Sequence, residues 1–370
     1  VPRSESRRDS TPIGDHYFHF LFFAPDAMSM EPMNRLVIGV AVILSVLTLA
    51  GFSAEQAQND LIRPAPANAA TGTTSATISK APQQKRQPAA PKDTVPVGSQ
   101  PYGVAFDGEN VWVANFADSP GTVTKIRARD GEVLGTFKVG QKPLGVTFDG
   151  TNIWVSNHLD NTVTKLRASD GKILGTFSVK SPWWMASDGD NIWVPSYGEN
   201  GTVTKLRASD GKNLGTFATG GIGGAIAAAF DGANVWVTNF TGSGNGTVSK
   251  VRASDGQIVG VYAIGPNPLG VTFDGVYIWV ANLAGASVSK LRASDGKVVG
   301  TFTVPPEPYG LAYDGKHIWV TGAFALTELQ ASDGAIFAQY PVGNTTGVVF
   351  DGTNVWAADT FHNLLQRKSP

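Results

Sequence analysis

The phrase TVTKLRASDGK occupies residues 162–172 and returns unchanged at 202–212. Near copies begin at Thr122, Thr247 and Ser287. A second phrase, an apolar run closed by Asp-Gly, recurs at Asp107, Asp149, Asp188, Asp231, Asp274, Asp314 and Asp351, at spacings of 37 to 43 residues. Self-similarity at this period constrains the fold more than any local signal. It means that one supersecondary unit is stacked seven times, each copy covering apolar surface that its neighbour cannot bury alone.

Each unit holds four short runs rich in β-branched and aromatic residues. In the second unit they are Leu144–Phe148, Asn152–Asn157, Thr162–Ala168 and Ile173–Val179. Asp-Gly sits in the first and third connections, where it tolerates the positive φ of tight hairpins. Four strands joined this way make an antiparallel meander. Ile153 and Val155 point to one face and Trp154 to the other, so both faces are apolar and both need a neighbour. The expected fold is therefore all-β: a seven-bladed β-propeller of four-stranded antiparallel blades over residues 93–370. The last unit lacks a fourth strand, whereas DTVPVG (Asp93–Gly98) aligns with the fourth strand GTFKVG (Gly135–Gly140) and has no unit before it. The N-terminal strand is expected to complete the last blade and remove an unpaired edge.

The stretch VGQKPLGVTFDGTNIWVSNHLDNTVTKL resembles the YVTN-type repeat of extracytoplasmic bacterial propellers, including YncE-like periplasmic proteins. Its DG…IWV phrase is also similar to repeats of the virginiamycin B lyase family and, more distantly, of NHL and SMP-30/lactonase propellers. The likeness covers about three quarters of the chain and implies the propeller fold. Function differs among these groups.

Residues before the repeats divide in three. Leu36–Phe52 is an uncharged run of 17 residues behind Arg35, so 33–54 reads as a signal peptide or a membrane anchor. Residues 55–92 read as a disordered Pro/Ala/Thr-rich linker, with few large apolar side chains to offset the entropy of ordering. Residues 1–32 form an N-terminal extension without an assigned role. The implied location is extracytoplasmic: periplasmic, secreted or at the cell surface. Membrane contact is expected only through 36–52, if that segment is retained.

With no cysteine, disulfides, thiolate metal sites and cysteine nucleophiles are excluded. Lysine and arginine (29) balance aspartate and glutamate (30), which disfavours a nucleic-acid partner. A Lys-x-Arg pair does recur in five units, from Lys125/Arg127 to Lys290/Arg292. The resemblance to YncE-like proteins implies single-stranded DNA binding through such a ring. The simpler reading is a solvated third strand whose arginines pair with the aspartate of the next turn.

In a meander, first and third turns share one end of the blade. Here that end is uniform. Second connections and blade-to-blade links share the other end, and they vary in length and chemistry, as recognition loops do. The asparagine closing the second strand (Asn115, Asn157, Asn239, Asn282) reads as a cap of local backbone and becomes Ser196, Gly322 and Asp359 elsewhere. The variable end is rich in aromatic and imidazole side chains: Tyr102, Phe116, His158, Trp183, Trp184, Tyr197, Phe240, Tyr309, Phe324, Phe361 and His362. With Asp359 these are the candidate ligand contacts, read as exposed rings suited to a glycan or protein partner. Trp183 and Trp184 have an alternative reading as plugs of the central channel. The other seven tryptophans, one per unit, read as inter-blade packing.

No catalytic residue and no cofactor is assigned. His158, Asp160, Asp359 and His362 are the candidate metal ligands. A divalent metal such as Mg²⁺ or Ca²⁺ is the alternative implied by the lyase and lactonase resemblance. The lyase family is expected to use a His/Glu/His cluster, which has no equivalent here: His317 and His362 are not framed by Glu307 and Glu328. His317 reads as a surface residue of the uniform end. For a lactonase, Asp359 with Asn115 and Asn157 is the nearest match. The Gly-rich Gly220–Phe230 reads as an altered first strand rather than a nucleotide loop.

Overall fold

The computed structural model describes residues 92–370 apart from Glu199. The expectations for the N-terminal extension, the 33–54 segment and nearly all of the linker lie outside the described residues. Seven four-stranded antiparallel sheets form a ring. Blades are numbered 1–7 in chain order. Blade 1 comprises Pro101–Phe106, Asn110–Asn115, Thr122–Arg127 and Glu132–Lys138, and the later blades repeat this order. In blade 2 the strands are Pro143–Phe148, Asn152–Asn157, Thr162–Arg167 and Ile173–Ser178, each within a residue of its sequence expectation. The described residues hold one helical turn, Leu283–Gly285, and no helix among them is long and apolar enough to cross a membrane.

Blade 7 is completed from the opposite end of the ring. Thr94–Pro96 pairs with Leu364–Lys368, with Val95 opposite Leu365. Val95 is fully buried among Leu365, Trp356 and the blade 1 residues Val111, Val113 and Ile126. The seal is thus both a hydrogen-bonded ladder and part of an inter-blade core.

Alternation along the second strand builds the layers. Ile153 and Val155 face blade 1 and pack with its Trp112, whereas Trp154 faces blade 3 and packs with Ile192 and Val194. All seven repeated tryptophans are fully buried. Each indole Nε1–H donates to the aspartate of its own first turn, from Trp112 to Asp107 (2.8 Å) through Trp356 to Asp351 (2.6 Å). The same aspartate accepts backbone N–H groups that close the turn, as Asp149 does from Thr151 and Asn152. One carboxylate therefore shapes the hairpin and satisfies the buried indole.

The first strands crowd the axis. A Cβ on Gly103 would collide with the carbonyl oxygen of Leu144 in the next blade, and one on Gly270 with that of Tyr309. Glycine recurs at this position because backbones touch there. Blade 3 carries Trp184 instead, and its backbone bonds in parallel to blade 4, Trp184 N–H to Ile226 O and Ala228 N–H to Trp184 O (both 3.0 Å).

Candidate functional site

The second connections and the links meet on one face. In blade 1, Phe116 N–H and Ala117 N–H donate to the link carbonyls of Gln100 and Ser99. Backbone conformation separates this face from the other. The first and third turns of the uniform face place positive φ on glycine, such as Gly108 (96°) and Gly131 (73°). Nine non-glycine residues also have positive φ: Gln100, Lys142, Asn161, Ser181, Asn267, Ala286, Glu307, Phe324 and Asn363. Every one of them lies in a link or second connection on the variable face. A side chain held there costs roughly 1–2 kcal/mol relative to glycine.

The centre of the variable face is closed. Tyr102 of blade 1 and Tyr309 of blade 6 are buried and hydrogen-bonded to each other through their hydroxyls. Burial pushes the Tyr309 hydroxyl up to about 12 and that of Tyr102 well above its ordinary value. The Tyr102 ring stands 5.4 Å from Phe116 and 6.5 Å from Trp184. Below lies an axial cavity of about 140 Å³, lined by the first strands at Val104, Val146, Met185 and their equivalents. Ligand pockets run to roughly 300–1,000 Å³, so the rings close the axis rather than frame a pocket. Trp184 belongs to this plug, with a buried Nε1 that has no hydrogen-bond partner.

Burial corrects the reading of these rings as exposed. Tyr102, Phe116, Trp183, Phe240 and Tyr309 are all buried, and Tyr197 and His158 are half-buried. The links and second connections fold inward over the inter-blade layers, so their first aromatic residue extends the core. Trp183 packs edge-on against His158 at 5.5 Å and lies 6.3 Å from Tyr197. Burial holds the His158 imidazole below its usual value.

What remains exposed lies at the rim. Phe324 in blade 6 is 79% exposed and Phe361 in adjacent blade 7 is 77% exposed. Next to Phe361, the half-exposed His362 places Nδ1 2.9 Å from Oδ2 of Asp359. Because a carboxylate only accepts, Nδ1 carries a proton, and in the neutral imidazole Nε2 is then the acceptor. Asp359 is fully buried and also accepts from Gln366 Nε2 (2.7 Å) and the backbone of Gly343, Phe361 and His362. Burial alone would raise its pKa, but these hydrogen bonds outweigh it and hold the carboxyl below the usual range. Of the candidate metal ligands only Asp359 and His362 come together. Asp160 accepts from Gln141 N–H instead of meeting His158. Asn115 and Asn157 are fully buried and tied to threonines of their third strands and to Gly98 and Gly140 of the incoming links. They staple strands together, which is more than a local cap.

The Lys/Arg ring separates into two structural sets. Arg127, Arg167, Arg207, Arg252 and Arg292 pair with the aspartates of their own turns, as expected. The lysines are not solvated. Lys125, Lys165, Lys250 and Lys290 are buried, and all five donate to an alanine carbonyl in the next blade's third turn at 2.6–2.7 Å. Each ammonium also lies about 5 Å from the face of its blade's tryptophan.

Blade 6 departs from this pattern, and a further correction follows. Glu328 stands where the lysine would be, with Oε1 3.0 Å from Nδ1 of His317, so Glu328 does frame His317. Asp314 Oδ2 is 3.2 Å from the same nitrogen. His317 is buried rather than superficial. The available signal was the double departure within one unit: histidine in place of the Asn110-type residue and glutamate in place of lysine.

No family model and no curated protein sequence matches the chain. Among solved structures it is similar to the hydrazine synthase of Kuenenia stuttgartiensis, with a TM-score of 0.65 and 18% identity over 80% of this chain and 99% of that one. It is also similar to a streptogramin B lyase, with a TM-score of 0.60 and 18% identity over 73% of this chain and 93% of that one. At such identity the likeness is one of architecture, and it agrees with the seven four-stranded sheets: the chain is a seven-bladed β-propeller.

Proposed function

We propose that this protein is an exported, non-catalytic binding module that engages a glycan or protein surface through the rim of its variable face, centred on Phe324, Phe361 and His362. One observation carries this reading: every non-glycine residue held at positive φ among the described residues lies on that face. Local strain retained on one face and relieved by glycine on the other points to side chains kept for contact. Phe324, at φ 67° and 79% exposed, is the extreme case. Export rests on the 33–54 segment.

The test is binding of the purified protein to a glycan array and, separately, to immobilised extracellular protein extracts, followed by titration of any hit. Phe324→Ala with Phe361→Ala is expected to weaken binding about tenfold, since each stacked ring contributes roughly 0.5–1.5 kcal/mol. Undiminished affinity in the double variant would refute the placement. A second reading, a lyase acting at the same rim, is favoured by the Asp359–His362 pair, which leaves one imidazole nitrogen available as a base. The similar structure's name supplies its first substrate, a streptogramin B. Mass spectrometry showing no conversion, or conversion untouched by His362→Ala, counts against it.

A further inference from the structure

On the turn side of blade 6, Asp314, His317 and Glu328 bring three potential ligand atoms within 4.8 Å of one another. We propose that this cluster is a binding site for one divalent first-row metal ion, Zn²⁺ or Mn²⁺, held by Asp314 Oδ2, His317 Nδ1 and Glu328 Oε1.

Charge and hydrogen bonding lead there independently. The side chains of Asp314, His317 and Glu328 are 4%, 7% and 1% exposed. A buried carboxylate is costly unless it is paired, well hydrogen-bonded or bound to a metal. In five other blades the third strand carries a lysine at this position, whereas blade 6 carries Glu328 and so has no cationic side chain there. Lys316 and Lys368 do not substitute. They lie over the rings of Phe337 and Tyr340, and neither forms an ion pair among the described residues. His317 Nδ1 can carry one proton but faces two carboxylate oxygens, at 3.2 and 3.0 Å. Glu328 Oε1 is left buried without a hydrogen bond. Donors about 2.0–2.2 Å from a shared ion stand roughly 3.0–3.6 Å apart, which matches both separations. Imidazole with two carboxylates suits zinc or manganese.

Outer partners fix two of the ligands. Trp319 Nε1–H donates to Asp314 Oδ2 (2.8 Å) and Tyr340 O–H to Glu328 Oε2 (3.0 Å), which leaves Oε1 for the ion. Phe337 stacks on the imidazole at 5.0 Å.

The experiment uses the full chain, stripped with EDTA and dialysed, then titrated with Zn²⁺ and Mn²⁺ by calorimetry, with metal content measured after gel filtration. One equivalent is expected to bind and to raise Tm. Glu328→Gln and His317→Asn, the latter restoring the residue that most blades carry, are expected to fold and to lose that equivalent. Tyr340→Phe is expected to weaken it about tenfold or more, as loss of a partner behind a ligand does. Cobalt substitution gives a spectroscopic readout of nitrogen ligation, which His317→Asn removes. Absence of saturable binding overturns the proposal, as does equal binding by wild type and both ligand variants. A cluster that changes stability with pH but ignores metal is an ion pair only, and that result overturns it as well.

Discussion

Lys125 Nζ lies 2.7 Å from the carbonyl oxygen of Ala168, which belongs to the next blade. The same ammonium sits 5.2 Å above the centroid of Trp112, whose Nε1–H donates to Asp107. Aspartate, indole, ammonium and carbonyl thus link the first turn of one blade to the third turn of the next, and four further blades repeat the relay. The repeated phrase encodes an inter-blade fastening as well as a strand.

Removing one fastening should lower stability without disturbing the fold. Lys165→Met keeps an aliphatic stem against Trp154 but leaves the carbonyls of Ala208 and Ser209 without their side-chain donor. The expected cost is about 1–3 kcal/mol, visible as a fall of several degrees in Tm by calorimetry with unchanged far-UV circular dichroism. An unaltered Tm would mean that the ammonium is equally well solvated in the unfolded chain.

The seal of the ring should be sensitive to small changes. Val95 is fully buried between Leu365 and the blade 1 core. Val95→Ala is expected to cost about 1–3 kcal/mol through a cavity at the closure. Val95→Asp, which places an unpaired carboxylate there, should cost more and expose both strands to protease. Limited proteolysis no faster than wild type in Val95→Asp would contradict this account of closure.

Periodicity made the ring readable because each blade repeats the same burial pattern: Trp154 facing forward and Ile153 and Val155 facing back can be inferred from alternation alone. Closure was readable for a related reason, as the strand around Val95 and the blade lacking a fourth strand are complementary remainders of one count. The site was harder. Whether Phe116 is buried and Phe324 exposed depends on how far each connection folds inward, a tertiary property of loops without a period. The lysines misled because exposure was judged from charge, whereas an ammonium can be buried when a neighbouring turn offers carbonyl oxygens. Glu328 and His317 lie 11 positions apart in sequence, and only the pairing of His317 with Gln330 across the second and third strands brings them together.

Strain at the rim predicts a gain in stability at the expense of binding. Phe324 is exposed and holds φ at 67°. In Phe324→Gly the left-handed penalty of roughly 1–2 kcal/mol disappears, while glycine's added freedom in the unfolded chain returns about 0.5–1 kcal/mol. Stability should therefore hold or rise by up to about 1.5 kcal/mol in urea titrations. A clear loss would show that the ring is stabilised by packing in solution, and the strain argument for the rim would fail at its strongest residue.

Asp359 gives the rim a pH signature. Its carboxyl is held below the usual range in the folded protein, whereas an unfolded aspartate titrates near ~3.9. A depressed folded pKa contributes stability that is fully present above the unfolded value and is lost as pH falls through the folded one. Asp359→Asn cannot titrate, and its amide would turn a donor toward His362 Nδ1 or Gln366 Nε2. The variant should therefore be less stable than wild type at pH 7, and the gap should narrow as pH drops below about 4. Thermal unfolding of both proteins from pH 7 to pH 3 provides the comparison. Other acidic groups titrate alike in the two chains and cancel in the difference. A gap that stays constant across the acid range would mean that the carboxylate's charge contributes nothing to holding His362 and Gln366, and His362 would lose its claim to a fixed orientation at the rim.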